Sequence, residues 1–204
     1  MQAARGTSLS DDATPDHATA PDPATHRRLW FRFAAVALVV YALDLGTKVL
    51  AVAKLTDHDD IPLVGDVLVL HLTRNPGAAF STGTEFTEVL SVIAIIAVFV
   101  VLRLSRRIGS VGWAFGLGFL LAGVAGNLTD RLLREPGPLR GHVIDFLMLP
   151  NWPVFNVADM SINAAAAVIL FQAFRGVRID GTRDPRDSRP RGDDEDDESR
   201  EPTQ

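Results

Sequence analysis

Four long apolar runs, separated by polar connections, restrict this chain to a bundle of helices embedded in a membrane. A helix needs about 20 residues to cross a hydrocarbon core of roughly 30 Å. The runs expected to do so are Trp30 to about Ala53, about Phe86 to Leu104, about Val111 to Leu128, and about Ala158 to Phe174. Gly116, Gly118, Gly123 and Gly126 strip side-chain bulk from the third run. Neighbouring helices can then approach it closely, so it is expected at the centre of the bundle. Hydrophobic residues make up 47% of the 204 positions, and nearly all lie between Trp30 and Phe174.

The ends are polar. Residues 1–28 are expected to form a disordered cytoplasmic tail, 29–176 the four-helix membrane domain, and 177–204 a disordered charged tail. The acidic run Asp193 to Glu198 belongs to that last segment. The N-terminal stretch lacks the apolar core of a cleavable signal peptide, so the first run reads as a retained signal anchor. There is no cysteine, which excludes disulfides, thiol nucleophiles and thiolate metal sites.

Arginines orient the bundle. Arg27, Arg28 and Arg32 flank the first run, Arg103, Arg106 and Arg107 fill the link between the second and third, and Arg175 and Arg178 follow the fourth. With four spans all three clusters fall on one side, which the positive-inside rule makes cytoplasmic. The two longer connections then lie outside. The first contains the β-prone stretch Val67 to Thr73, bounded by Gly65 and by Asn75-Pro76-Gly77. A small sheet on the outer membrane surface is expected there. It cannot sit in lipid with unpaired backbone groups.

Five polar clusters remain, all expected near the outer margin of the membrane. Asp44 and Lys48 are spaced i, i+4 and can pair, a reading favoured over direct chemistry. Asn75 introduces a turn, or hydrogen-bonds an extended peptide. Asn127, Asp130 and Arg131 cluster at the end of the third run. There Arg131 either snorkels or fixes a carbonyl or carboxylate, and Asp130 partners a basic group.

The remaining two clusters each hold one acid. Asp145 lies among Val143, Ile144 and Phe146, where desolvation raises a carboxyl pKa. Asp159 opens the fourth helix, where the macrodipole favours negative charge and Asn156 can act as N-cap. If the two acids meet they share one proton, and one can activate a water while the other acts as general acid. The five histidines are dispersed, no His-x-x-x-His pair occurs, and no serine has a nucleophile-elbow context. No metal, cofactor or nucleic acid is expected. A proton-coupled transporter would spread its acids over several depths, whereas these cluster at one. A lipid or partner scaffold is the third alternative.

These pieces resemble the signal peptidase II family, the membrane aspartic peptidases that mature bacterial prolipoproteins. The matching motifs are Asp44-x-x-Thr47-Lys48, Asn75-x-Gly77-Ala78-Ala79-Phe80, Gly126-Asn127-x-x-Asp130-Arg131, Val143-x-Asp145-Phe146 and Phe155-Asn156-x-Ala158-Asp159. They appear in the family's order over about Phe31 to Phe174.

The resemblance implies an all-α membrane fold with a small extracytoplasmic β-sheet, and Asp145 and Asp159 as the catalytic dyad. It implies Asn75, Asn127, Arg131 and Asn156 in the substrate site, with Asp44, Lys48, Asp130 and Gly77 in support. The implied substrate is the signal peptide of a diacylglyceryl-modified prolipoprotein, cut before the lipidated cysteine. Membrane lipids surround it, and globomycin-like cyclic peptides would inhibit. The implied location is the bacterial cell (inner) membrane, multi-pass, with both termini cytoplasmic and the active site toward the outer face. Two departures from the pattern are the link Leu132 to Arg140, longer than usual, and the long tails.

Overall fold

A computed structural model describes residues 23–77 and 87–183. Four helices carry the chain: α1 (Pro23–Leu55), α2 (Thr87–Ser105), α3 (Val111–Leu133) and α4 (Val157–Phe174). All four are long and apolar enough to cross a membrane. The shortest has 18 residues, which at 1.5 Å per residue gives about 27 Å. Leu38, Val39, Val49, Leu50, Ile93, Ile96, Phe99 and Phe171 are exposed, an apolar surface of the kind that membrane-spanning helices present.

α3 is the hub of the bundle and packs against each of the other three helices. Its glycines make this possible. A Cβ on Gly118 would sit 3.0 Å from the Phe33 carbonyl oxygen of α1, and one on Gly123 would sit 2.5 Å from the Ala158 carbonyl oxygen of α4. Ser161 of α4 donates to the Phe119 carbonyl at 2.7 Å, and Tyr41 of α1 meets Thr129 at 2.9 Å.

The arginine-bearing connections gather at one end. His26 Nε2 donates to the Arg106 carbonyl at 3.0 Å, and Gly109 N donates to the Ile179 carbonyl at 2.8 Å. Leu29, Phe33, Val101, Ile108 and Leu117 form an apolar core there.

At the other end lies a three-stranded antiparallel sheet of β1 (Ile61–Val64), β2 (Leu68–Asn75) and β3 (Val143–Met148), in the order β1-β2-β3. Ala51 and Leu55 of α1 pack with Ile144 and Phe146 of β3 to form a second core beneath it.

Several boundaries differ from expectation. α1 starts at Pro23, inside the expected N-terminal tail, because the Arg27–Arg32 region continues the helix past the apolar run. α3 continues through the polar residues Asn127 to Arg131 and ends at Leu133. Residues 177–183 form a turn held by Gly109 and by Trp113 Nε1, which donates to the Val177 carbonyl at 2.8 Å. The tails expected in residues 1–22 and 184–204 lie outside the described residues, as do Ala78, Ala79 and Phe80.

The long link after α3 folds back on the helix. Gly141 N donates to the Arg131 carbonyl at 3.0 Å, and Ser91 of α2 donates to the Leu139 carbonyl at 2.6 Å. Arg140 pairs with Glu88.

Candidate active site

β3 and the first turn of α4 deliver the two acids. Pairing with β2 sets Thr73 opposite Asp145 and Asn75 opposite Val143, so Asn75 and Asp145 share one face of the sheet. Asn75 Nδ2 donates to Asp145 Oδ2 at 2.9 Å, and its Oδ1 accepts from Gly77 N at 2.8 Å. Asn75 thus makes its turn and reaches an acid at once. Gly77 adopts φ +108°, a conformation costly to other residues.

α4 begins with a capping box. Asn156 is the N-cap and accepts from Asp159 N at 3.0 Å, while Asp159 Oδ2 accepts from Asn156 N at 3.1 Å. The Asn156 side chain has a second partner, donating to Asp145 Oδ1 at 2.6 Å. One fully buried asparagine therefore holds both acids. Asn127 Nδ2 donates to Asp159 Oδ1 at 2.8 Å, and Asn127 Oδ1 accepts from Asn156 Nδ2 at 3.1 Å.

Asp145 is almost fully buried. Its pKa is pushed up to about 6, chiefly by burial. The Asn75 hydrogen bond opposes this, the Asp159 charge adds to it, and the Asn156 hydrogen bond opposes it. Asp145 and Asp159 line the same open cavity of about 500 Å³ with Asn75, Phe155, Met160 and Asn163.

Behind the acids lies a buried charge cluster. Lys48 Nζ sits 2.8 Å from Asp44 Oδ2, 2.9 Å from Asp130 Oδ2 and 2.9 Å from Asn127 Oδ1. Asp130 also pairs with Arg134, so two acids face two bases. Asp44 and Lys48 thus form the expected ion pair, enlarged by Asp130. A buried charge is tolerated when its neighbours satisfy it in this way.

Arg131 stands apart. Its Nη1 is buried without a hydrogen-bond partner among the described residues. The guanidinium lies over Gly77, where an added Cβ would be 3.2 Å from Nη1.

Sequence reasoning missed Arg134, although its i, i+4 spacing from Asp130 was a usable signal. It also missed the cavity wall of Trp152 to Phe155, Met160 and Asn163. Among the described residues, no group of three or more His, Cys, Asp or Glu could hold a metal ion.

Known proteins share this architecture. The family described as signal peptidase (SPase) II matches residues 36–175. The lipoprotein signal peptidase of Rhodococcus jostii (strain RHA1) is 44% identical over 173 residues, covering 85% of this chain and 87% of that protein. That of Mycobacterium avium (strain 104) is 46% identical over 166 residues, covering 81% and 91%. Among solved structures, a bacterial membrane enzyme determined in meso at 2.3 Å superposes with a TM-score of 0.61 at 23% identity, covering 70% of this chain and 87% of that one. At that identity the superposition speaks for the fold alone. The family match, the extent of these identities and the four apolar helices agree: this chain is a multi-pass membrane protein and belongs to the signal peptidase II family.

Proposed function

We propose that the chain is a membrane aspartic endopeptidase that removes signal peptides from diacylglyceryl-modified prolipoproteins, cutting before the lipidated cysteine. The observation that carries this reading is Asn156, which bonds Asp145 through its side chain and Asp159 through its main chain. Two carboxyls held by one residue and lining one cavity suit a shared proton.

In the reaction the ionised acid takes a proton from a water. The water oxygen attacks the scissile carbonyl carbon, while the protonated acid donates to the carbonyl oxygen. Collapse of the tetrahedral intermediate breaks the C–N bond: the acid that took the water proton passes it to the leaving amine, and the other acid recovers a proton from the hydroxyl. Asn127 and Asn156 orient the acids. Asn75 holds Asp145 and offers its remaining N–H to substrate, and the unpaired Arg131 Nη1 suits a substrate carbonyl.

Both termini are assigned to the cytoplasm of the bacterial cell and the acids to the outer face of its membrane, following the arginine bias. A lipidated substrate stays in the membrane plane, within reach of such a site. Globomycin-like cyclic peptides are expected to inhibit. The test is cleavage of a diacylglyceryl-modified precursor by the purified protein, with and without chelator. Asp145→Asn and Asp159→Asn should each abolish cleavage with insertion intact, and chelator should have no effect. Normal cleavage by either variant would remove the dyad.

A further inference from the structure

The Lys48 ammonium has three partners within 2.9 Å, and each leads to an acid of the dyad or to the amide just before it. Asp44 holds Lys48 through Oδ2, and its Oδ1 accepts from Ala158 N at 2.8 Å. Ala158 immediately precedes Asp159. Asp130 holds Lys48 through Oδ2, and the same oxygen accepts from Ile144 N at 3.3 Å. Ile144 immediately precedes Asp145. Asn127 receives Lys48 on Oδ1 and donates from Nδ2 to Asp159 at 2.8 Å. Each carboxylate partner therefore holds the backbone amide just before one acid, and the amide partner holds the second acid directly.

We infer that Lys48 is a positioning residue that, beside the direct tie through Asn156, fixes Asp145 and Asp159 against α1 and α3, acting through Asp44, Asp130 and Asn127. This rests on the peptidase reading above. The ammonium touches neither acid, so its effect passes through the elements that carry them. Asn156 ties β3 to the start of α4, and the pair still needs a reference on the rest of the bundle. A fully buried cation on α1, bonded to α3 and through it to both, supplies one.

The lysine also fixes the Asn127 amide. With the oxygen committed to an ammonium, the nitrogen must face Asp159. A guanidinium would not serve equally, because it is a broad planar fork and lysine a compact point charge. Gly126 leaves room for the arrangement, since a Cβ there would lie 2.4 Å from Asp44 Oδ2.

Steady-state cleavage of a diacylglyceryl-modified precursor by the full-length protein tests this, with rates expressed per folded molecule from thermal unfolding. The variants are Lys48→Met, Lys48→Met with Asp44→Asn (one charge of each sign removed), and Gly126→Ala, which displaces Asp44 without altering any titratable group. Leu117→Ala, in the core at the arginine-bearing end, is the destabilised control.

The expected result is a kcat lower by about 100-fold in the Lys48 and Gly126 variants, the scale of an ångström-sized misplacement. KM stays within about twofold, and Leu117→Ala keeps both constants. A wild-type kcat per folded molecule in any Lys48 or Gly126 variant overturns the inference and leaves the dyad standing. Should neither lysine variant fold, Gly126→Ala decides by the same split. Cleavage by Asp145→Asn at the wild-type rate, or none by the wild type, overturns the peptidase reading instead.

Discussion

Asn156 approaches Asp145 at 2.6 Å, from a buried position that also caps α4. Helix start and the Asp145 carboxyl are thereby joined through one amide group. The strand bearing Asp145 cannot drift from the helix bearing Asp159 without breaking this contact.

Asn156→Ala should therefore damage activity and stability together. Loss of an N-cap costs about 1 kcal/mol, and the buried Asp145 oxygen loses a donor worth a further 1–3 kcal/mol, roughly. Cleavage should fall by about 100-fold or more as the acids lose their common support. Thermal unfolding and precursor cleavage measure the two effects, and a variant that melts early yet cleaves normally would separate cap from site.

Asp145→Asn should change how stability responds to pH. The carboxyl sits at about 6 in the folded protein against an ordinary 3.8, so the folded state holds the proton more tightly between those values. That contribution is complete below about pH 4 and is lost as pH rises through about 6. Stability of the wild type relative to Asp145→Asn should thus fall by up to about 3 kcal/mol between pH 4 and pH 7. Unfolding of both proteins across that range is the measurement, and parallel curves would refute it.

Gly77→Ala should weaken substrate binding. Its φ of +108° disfavours any side chain, and the new methyl would lie 2.8 Å from Leu90 Cδ1 and 3.2 Å from Arg131 Nη1. Displacing the guanidinium should raise KM by about tenfold, equal to about 1.4 kcal/mol of binding. A drop in kcat at constant KM would show instead that Gly77 serves the dyad.

Two helical glycines should respond oppositely to alanine. At Gly123 the methyl would meet the Ala158 carbonyl oxygen at 2.5 Å, forcing α4 away from α3 at a cost of about 1–3 kcal/mol. At Gly46 nothing lies within 4 Å, so the better helix former should add about 0.5–1 kcal/mol. Melting temperatures of the pair in detergent decide the matter.

The four spans were legible because bilayer thickness imposes a length that apolar runs reveal directly. The ends of α1 and α3 were not, since both helices continue through charged or polar residues after the apolar signal stops. Asp44 with Lys48 was readable as a local pair. Asp130 as a second partner for Lys48 was not, because it comes from another helix. β2 could be read from its β-prone composition and flanking turns. β3 is not legible as a strand, because its first residues are buried on both faces and show no in–out alternation. Its partner strand is remote in sequence. The grip of Asn156 on Asp145 follows from the Leu147–Phe155 bridge, which sets the cap of α4 against β3; the sequence shows its capping role, and the resemblance its place in the substrate site.

The capping box has a practical consequence for preparing an inert form of the protein. Alanine at Asp159 would unfasten the start of α4 along with the chemistry, leaving any loss of turnover ambiguous. On the proposed dyad, position 145 is the cleaner place to disarm the molecule. An amide there keeps the shape of the strand and leaves the helix entrance closed, as a substrate trap requires.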